Sequence, residues 1–316
     1  MQTFLRWACL LPFFLWISCG EGEREKLIDE APLISKVYQD STGRSIELPR
    51  APQRFLSLTP SITETIFAIG AEGKLIGRSM ACDFPAEVGE WAEVGFDENG
   101  IDLPLVAELN PDLILLAEES FSEEHIRLLD QSGWPYFLFR YEDLEAVYQS
   151  IRDVGVLMGA EKKADQIADS LMALEARILD STEIQIKYPT VMLVNDRPLQ
   201  AAGGVGLWHE MIEKAGGENI FSEAPSALVS VTEDHILTGK PEYLMLVSDN
   251  DQAYANLVEF HPRLYNLPAA ARDQVFLLPP DWIFRPGPRI LQGLLQLTLS
   301  LHSPLVPALF IEGQAL

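Results

Sequence analysis

Short apolar runs alternate along this chain with longer segments in which apolar residues recur at helical spacing. The runs that predict strands lie at 55–58, 74–77, 113–117, 136–139, 190–194, 242–247 and 274–278. A last helix is predicted at 288–301. Because strands that alternate with helices build mainly parallel sheets covered by helices, the pattern predicts an α/β fold.

The junction after the first of these strands carries helix-start and helix-stop signals. Pro60 cannot continue a strand ladder, so we expect a helix to begin directly after it. Ser61 and Glu64 have the spacing of a capping box, in which each side chain bonds to the backbone N–H of the other residue. Gly70 supplies the left-handed stop. We expect the Thr59-Pro60 corner to offer backbone donors to a ligand.

Two helical patterns follow one another in the middle of the chain, at 142–159 and 161–181. The second has apolar residues on one face and charged residues on the other, and no Gly/Ser-rich hinge accompanies it. We therefore expect a lobe at 36–141, a helical region at 142–187 that includes the connecting helix, and a second lobe at 188–316. A helix rises about 1.5 Å per residue and would join the lobes stiffly.

The first residues have the pattern of a secretory signal. Residues 1–18 carry a single basic residue, Arg6, followed by an apolar run that is too short to span a bilayer. Ser18 and Cys19 resemble the lipobox of bacterial lipoproteins, which implies that Cys19 becomes the lipidated first residue. Residues 19–35 are expected to form a solvated tether. The alternative is an ordinary secretory signal in which Cys19 is incidental.

Composition excludes several classes of function. The 316 residues include 23 Lys and Arg against 47 Asp and Glu, a net charge of −24. Nucleic acid is not expected as a partner, because phosphate binding needs a basic surface. With Cys9 in the signal and Cys19 lipidated, Cys82 is the one free thiol, so no intrachain disulfide or cysteine-ligated cluster is expected. The five histidines have no zinc-site spacing, and no metal site is predicted.

A proline-rich loop, LLPPDWIFRPGPRI, carries candidate chemistry between the last predicted strand and the last predicted helix. Prolines stiffen such a loop, so its side chains meet a ligand at a low ordering cost. Trp282 offers a flat apolar face, and Asp281 and Arg285 can hydrogen-bond to amides or carboxylates of a ligand. The alternative is an internal pair of Asp281 with Arg285, and Trp282 packed over the core.

Motifs for other kinds of chemistry are absent from the sequence. The glycines of AAGGVG, at 201–206, do not spell a dinucleotide fingerprint, and no Gly-Lys-Ser/Thr follows them. We expect this loop to shape a helix N-terminus beside a cleft. No Gly-x-Ser-x-Gly elbow or Cys-His pair stands out, so no catalytic residue is predicted. An oxidoreductase-like enzyme of the same fold is the alternative from another class, but it would need cysteines for its clusters.

Several segments in succession resemble a known family. RFLSLTPSITETIFAIG, GAEGKLIGRSMACDFP and IDLPLVAELNPDLILLA resemble the N-terminal lobe of cobalamin-type periplasmic binding proteins, and AAGGVG with AGGENIF resembles their second lobe. These proteins are the substrate-capture subunits of ABC importers for vitamin B12, ferric siderophores and haem. The resemblance covers about 37–302. It implies two Rossmann-like lobes with mainly parallel sheets, joined by one long helix and moving little.

The resemblance also implies ligand contacts. Cobalamin-binding proteins of the family carry an Asp-Trp followed by a basic residue and Pro-Arg, which Asp281, Trp282 and Arg285 match, and they contact the ligand through the Asp, Trp and Arg. A Trp of the family falls near Phe96. The full set of expected ligand-facing residues is Thr59, Pro60, Phe96, Asn195, Asp281, Trp282 and Arg285.

Members of the family dock to their transporter through one exposed Glu on each lobe. In this chain the position in the second lobe falls on Asp234, with Glu233 adjacent. The position in the first lobe falls on Pro104, so Asp102 and Glu108 are the nearby substitutes.

Together these observations predict a binding protein and not an enzyme. It would be anchored in the cell envelope through Cys19, capture cobalamin in a cleft between its lobes, and deliver it to the permease dimer of an ABC importer. A ferric siderophore or haem is the alternative ligand within the family. No intrinsic cofactor is expected, and the protein is expected to be monomeric.

Overall fold

The computed structural model describes residues 35–97, 100–181 and 187–302. The predicted signal segment and Cys19 lie outside these ranges, as does all of the predicted tether except Ser35. The described residues from Ser35 onward belong to one compact unit. Within the described ranges, none of the helices combines the length and the apolar character that crossing a membrane requires.

The first part of this unit, which we call the N-lobe, is built around a parallel sheet. Its strands are β1 (Lys36–Gln39), β2 (Ser45–Leu48), β3 (Phe55–Ser57), β4 (Leu75–Ser79), β5 (Ala92–Val94), β6 (Phe96–Asp97), β7 (Gly100–Ile101), β8 (Leu113–Ala117) and β9 (Tyr136–Phe139). Its helices are α1 (Pro60–Ala68), α2 (Leu103–Leu109) and α3 (Glu123–Ser132). The sheet has the order β5-β4-β3-β8-β9, while β1-β2 and β6-β7 are antiparallel hairpins. The strand order therefore reverses between the parallel neighbours β3 and β8, in which Phe55 is opposite Leu113.

Two long helices follow, α4 (Leu144–Met158) and α5 (Glu161–Ser181). Gly159 ends α4 with a φ of 66°, a left-handed value that glycine adopts without strain. The two helices pack closely, because a Cβ added to Gly155 would lie 2.4 Å from the Cβ of Ala164. The predicted pair of helices is thus present, and α5 is the long helix between the two sheets.

The last part, which we call the C-lobe, has a mixed sheet. Its strands are β10 (Tyr188–Asp196), β11 (Leu199–Ala202), β12 (Gly217–Asn219), β13 (Leu228–Ser230), β14 (Tyr243–Val247) and β15 (Val275–Leu278). Its helices are α6 (Leu207–Lys214), α7 (Glu233–Gly239), α8 (Ala253–Phe260), α9 (Pro268–Ala271), α10 (Pro280–Ile283) and α11 (Ile290–His302). The order is β13-β11-β10-β14-β15, with β12 beside β10. The pairs β10-β11 and β11-β13 are antiparallel, and β10-β12, β10-β14 and β14-β15 are parallel.

One apolar cluster runs through both lobes. It joins Phe55 and Leu115 of the N-lobe sheet to Leu171 of α5, and continues to Met192 of β10 and Leu294 of α11. Separate clusters cover the outer faces of the two sheets. The predicted α/β fold with two lobes and one long connecting helix is confirmed. The shared core couples the lobes mechanically, because close-packed side chains transmit strain.

The predicted capping box of α1 is wrong. Helix α1 begins at Pro60, two residues earlier than the box requires, and its N-cap Thr59 makes no capping hydrogen bond through its side chain. Proline suits the first helical position because it lacks the N–H that would otherwise be unsatisfied. Ser61 therefore lies inside the first turn, and both it and Glu64 bond elsewhere. Gly70 has the expected left-handed conformation, with a φ of 71°.

The close contact between α4 and α5 predicts that a Gly→Ala change in a helix will here destabilise the protein, opposite to its usual effect. Alanine usually stabilises a helix relative to glycine, by up to about 1 kcal/mol. At Gly155 the added methyl would overlap the Cβ of Ala164, so we expect Gly155→Ala to lower the free energy of unfolding by about 1–3 kcal/mol. Urea unfolding followed by circular dichroism measures this.

The matched control is Gly73→Ala, because nothing lies within 4 Å of a Cβ added there. That variant should be neutral or gain up to about 1 kcal/mol. Equal effects at the two glycines would show that α4 and α5 tolerate more space than the packing indicates.

Candidate functional site

A cleft of about 780 Å³ lies between the two lobes. On the N-lobe side the cleft begins at the topological switch point between β3 and β8, where the strand order reverses. Open parallel sheets usually bind ligands at this point. Its volume is within the range of about 300–1,000 Å³ that is common for ligand sites. The cleft is lined by Thr59, Ser61, Ala117, Glu118, Glu119, Ser120, Arg140, Tyr141, Glu142, Val205, Gly206, Leu207, Trp208, Ala227, Leu228, Ile283, Phe284 and Pro286.

The N-lobe wall is polar, and its buried hydroxyl groups are already bonded within the protein. The Oγ1 of Thr59 accepts a hydrogen bond from the backbone N–H of Ala117 at 2.9 Å. The Oγ of Ser61 donates to the hydroxyl of Tyr141 at 3.3 Å. Burial raises the pKa of the Tyr141 hydroxyl, so it stays protonated at neutral pH. These groups stiffen the wall.

The same wall carries three carboxylates and one guanidinium. Arg140 donates to both oxygens of Glu118, at 2.5 and 3.1 Å, and lies 3.6 Å from Glu142. Glu119 accepts the backbone N–H of Tyr141 at 2.8 Å. Burial among the cleft residues raises the pKa of Glu119, although solvent still reaches its side chain. The wall is therefore net acidic, and its single arginine is engaged.

The C-lobe wall is apolar, and no charged side chain belongs to it among the described lining residues. Trp208 at the start of α6 donates its indole N–H to the carbonyl of Ile283 at 3.0 Å. Its ring meets that of Phe284 edge to face, with centroids 5.6 Å apart. Val205, Leu228 and Phe284 are exposed by 46%, 38% and 41%. Exposed apolar groups gathered in a concave site favour ligand binding.

Glycines hold part of this wall in place. The N–H of Gly203 donates to Ala227 at 2.8 Å, and the N–H of Gly204 donates to Ala224 at 3.0 Å. A Cβ at either glycine would lie 1.9 Å from a carbonyl oxygen, so only glycine fits. Gly206 is the N-cap of α6 with a φ of 84°. As expected, the glycine loop shapes a helix N-terminus beside the cleft.

The structure gathers only some of the predicted ligand-facing residues. Thr59 lines the cleft, and Pro60 beside it begins α1. The side chain of Phe96 lies outside the part of the chain that is described. Asn195 lines a different crevice of about 270 Å³, at the carboxyl ends of β10 and β14, and accepts the N–H of Arg197 at 3.2 Å.

Asp281, Trp282 and Arg285 lie beside the cleft, and the residues between and after them line it. Nε of Arg285 is 3.0 Å from Asp281, which is the internal pair considered as an alternative. Trp282 is half-buried, and its carbonyl oxygen would lie 2.3 Å from a Cβ added to Gly293 of α11.

Sequence reasoning missed Trp208, Glu118, Glu119 and Arg140 as cleft residues. Glu118 directly follows β8, and Arg140 directly follows β9. Side chains at the carboxyl ends of parallel strands border the crevice in this class of fold, so their positions were a usable signal. For Trp208 the signal was its place two residues after the glycine loop.

Five charged residues form a cluster where the lobes meet. Glu64 of α1 accepts hydrogen bonds from Nε and Nη2 of Arg289, at 2.8 and 2.6 Å, and lies 3.4 Å from Arg285. Arg285 also donates to Asp83 of the N-lobe at 2.5 Å, while Asp281 is 3.3 Å from Arg289. The bond from Arg285 lowers the pKa of Asp83, and the bond to Glu64 raises the pKa of Arg289.

The predicted docking residues lie on two short helices, α7 and α2, where Asp234 is exposed and Glu233 is partly buried. Asp234 in the first turn of α7 is 2.6 Å from Arg263, whose hydrogen bond lowers the pKa of Asp234. Glu233 is 3.4 Å from His261. In the N-lobe, Asp102 is the N-cap of α2 and accepts the N–H of Leu105 at 3.1 Å. Pro104 and Glu108 are exposed on the same helix.

A family model described as periplasmic binding protein matches residues 56–282. This chain belongs to the periplasmic binding protein family. Proteins of this family bind substrates outside the cytoplasm. This binding protein is 25% identical to YvrC of Bacillus subtilis, named an uncharacterized ABC transporter substrate-binding lipoprotein, over 94% of this chain and 96% of YvrC.

Other relatives carry ligand names. A vitamin B12-binding protein of Photorhabdus laumondii is 28% identical over 82% of this chain and 91% of its own. Among solved structures, the vitamin B12-binding protein BtuF of Vibrio cholerae is similar with a TM-score of 0.70 and 22% identity, over 79% of this chain and 97% of BtuF. The heme-binding protein RhuT of Roseiflexus has a TM-score of 0.69 and 23% identity, over 78% and 97%. At these identities the two structures show the fold alone.

The buried carboxylate of Glu64 gives a stability prediction. Glu64→Gln would remove the charge that neutralises two half-buried arginines, and breaking a buried ion pair commonly costs about 3–5 kcal/mol. We expect the free energy of unfolding to fall by at least about 2 kcal/mol, because solvent reaches part of both arginines. As a control, Glu242→Gln breaks an exposed pair with Arg272 and should cost at most about 1 kcal/mol. Similar losses in the two variants would mean that the cluster is well hydrated.

The raised pKa of Glu119 predicts how stability depends on pH. A carboxyl group whose pKa is higher in the folded than in the unfolded state loses stabilising effect as the pH rises through its folded pKa. Glu119→Gln should therefore stabilise the protein slightly at about pH 7, because the exposed side chain is partly screened by solvent, and the gain should vanish towards about pH 4. Urea unfolding at a series of pH values measures the difference.

A carboxyl group with the opposite shift is the control. The hydrogen bond from Arg127 lowers the pKa of Glu124, so Glu124→Gln should destabilise at neutral pH and lose that effect in acid. Parallel pH profiles for the two variants would contradict the assignment for Glu119.

Proposed function

We propose that this protein captures a corrinoid, cobalamin in its expected form, in the cleft between its lobes and delivers it to an ABC importer. The observation that carries this proposal is the contrast between the two walls of the cleft. The N-lobe wall is acidic and rich in acceptors, and the C-lobe wall is apolar and aromatic. A ligand that suits both walls has a broad apolar surface and many uncharged hydrogen-bond donors at its edge.

A corrinoid has this chemistry. Its ring offers apolar surface to Trp208 and Phe284, and its primary amide side chains can donate hydrogen bonds to Glu118, Glu119 and Glu142. Carboxylate acceptors form hydrogen bonds roughly twice as strong as those of neutral groups. Arg140 is paired with Glu118, so this one guanidinium does not neutralise the negative charge of all three carboxylates. Several curated relatives are also named vitamin B12-binding proteins.

Haem and ferric siderophores fit the same cleft less well. The propionates of haem and most ferric chelates are anionic, so the three glutamates would repel them. Among the described lining residues, Tyr141 is the one side chain of a type that ligates haem iron, and its hydroxyl is bonded to Ser61. The haem-binding structural neighbours nevertheless make haem the second candidate ligand, since the fold accommodates it.

We further propose that the protein is held at the cell envelope by a lipid on Cys19. A lipoprotein name in a full-length relative supports this anchor. Docking to the permease would use Asp234 and Glu233 on the C-lobe, with Asp102 or Glu108 on the N-lobe. Direct contacts of Pro60, Phe96, Asn195, Asp281, Trp282 and Arg285 with the ligand stay predictions.

The first experiment is an absorbance titration of the protein with cyanocobalamin, backed by calorimetry. We expect a saturable one-to-one complex with submicromolar affinity. Trp208→Ala should weaken binding by roughly thirtyfold, because loss of a buried aromatic face costs about 2 kcal/mol. Trp282→Ala tests the predicted contact in the same assay.

The control variant is Trp91→Ala. Trp91 donates its indole N–H to Leu75 at 2.8 Å and packs on Phe67, away from the cleft lining. It should lower stability but leave affinity unchanged. Absence of any cyanocobalamin binding by the unmodified protein would refute the corrinoid and turn the search to ferric siderophores and haem, tested in the same way.

A further inference from the structure

The charged cluster between the lobes has two parts that differ in their contact with water. The side chain of Glu64 is 2% exposed, and it accepts hydrogen bonds from Nε and Nη2 of Arg289. The carboxylate of Asp83, in contrast, is 66% exposed, although the side chain of Arg285 that binds it is exposed by only 15%. The cluster therefore has a buried end at Glu64 and a solvent-exposed end at Asp83.

Both ends connect the lobes through the same loop. Asp83 lies in the loop after β4, and Glu64 lies on α1, so both acids belong to the N-lobe. Arg285 and Arg289 lie between α10 and α11 of the C-lobe. The loop also touches α1 directly, because a Cβ added to Gly287 would lie 3.0 Å from the carbonyl oxygen of Ser61.

The residues of this loop that face the cleft lie between the charged ones. Ile283 and Phe284 stand between Asp281 and Arg285 in the sequence and form part of the apolar wall. The carbonyl of Ile283 accepts the indole N–H of Trp208. A movement of this loop that separates Arg285 from Asp83 therefore also moves the aromatic wall relative to the N-lobe.

We propose that the ion pair between Asp83 and Arg285 is a latch across the lobe boundary that holds the cleft closed, and that Glu64 with Arg289 is its fixed pivot. The buried pair resists separation because an unpaired buried charge is costly. The half-exposed pair separates readily because water and ions can replace each partner. Arg285 is then a positioning residue, which acts on a ligand through Phe284. This inference does not depend on which ligand the cleft binds.

The test measures the width of the ligand-free cleft by electron spin resonance. Spin labels at Glu123→Cys and Glu223→Cys, both exposed and within a few residues of the cleft rim, report the distance between the lobes. Cys82 is buried and stays unlabelled, and serines replace Cys9 and Cys19. The distance distribution is recorded near 0.1 M and near 1 M salt. Exposed charges are screened beyond about 10 Å at the lower concentration and beyond about 3 Å at the higher one.

We expect salt to shift the distribution of the unmodified protein towards longer distances. Asp83→Asn should produce that shift already at low salt, raising the ratio of open to closed molecules by about two- to fivefold, as expected for one half-exposed ion pair. Further salt should then have no effect. Arg285→Gln should produce at least the same shift, because it removes the bond to Asp83 together with the contacts of Arg285 with Glu64 and Asp281. The double variant should match Arg285→Gln.

Two results would overturn the latch. One is a distribution for Asp83→Asn that equals that of the unmodified protein at both salt concentrations. The other is an equal shift in the control Glu242→Gln, which breaks an exposed pair with Arg272 inside the C-lobe. Asp83 is at the exposed end of the cluster, so Asp83→Asn keeps the test valid even if variants of Arg285 fail to fold.

Discussion

A carboxylate that is almost completely buried on one lobe is neutralised by an arginine of the other. Glu64 lies on α1, and its partners Arg289 and Arg285 lie more than two hundred residues further along the chain. Leaving such a charge unpaired would cost several kcal/mol, so the lobes stay joined at this point. The loop that carries the arginines also carries part of the cleft wall, and its position follows from this pairing.

The shared apolar core also holds the two lobes together. One cluster extends from β3 through α4 and α5 to β10 and α11, so both inner sheet faces pack against common helices. The close approach of α4 and α5 at Gly155 leaves little space for sliding. A cleft built on such a frame is largely formed before a ligand arrives, which reduces the ordering cost of binding.

The contrast between the walls of the cleft follows from how each lobe reaches it. The N-lobe contributes residues directly after β8 and β9, where polar side chains can end a buried strand. The C-lobe contributes a glycine loop and a proline-rich loop, whose side chains toward the cleft are apolar. A bound ligand would therefore be oriented, with hydrogen-bond donors toward the N-lobe and apolar surface toward Trp208.

The sequence by itself determined the seven main strands, the two long helices between the lobes, the helix stop at Gly70 and the family, because these depend on local periodicity and on residues close together in the chain. It also placed Thr59 beside the cleft, since the corner follows a central strand. Only the tertiary structure decided that Glu64 binds Arg289 rather than capping its own helix, that Trp208 lines the cleft, and that Asn195 lines another crevice. These outcomes depend on which distant segments of the chain the topology of each sheet brings together. Local sequence patterns do not encode such long-range contacts.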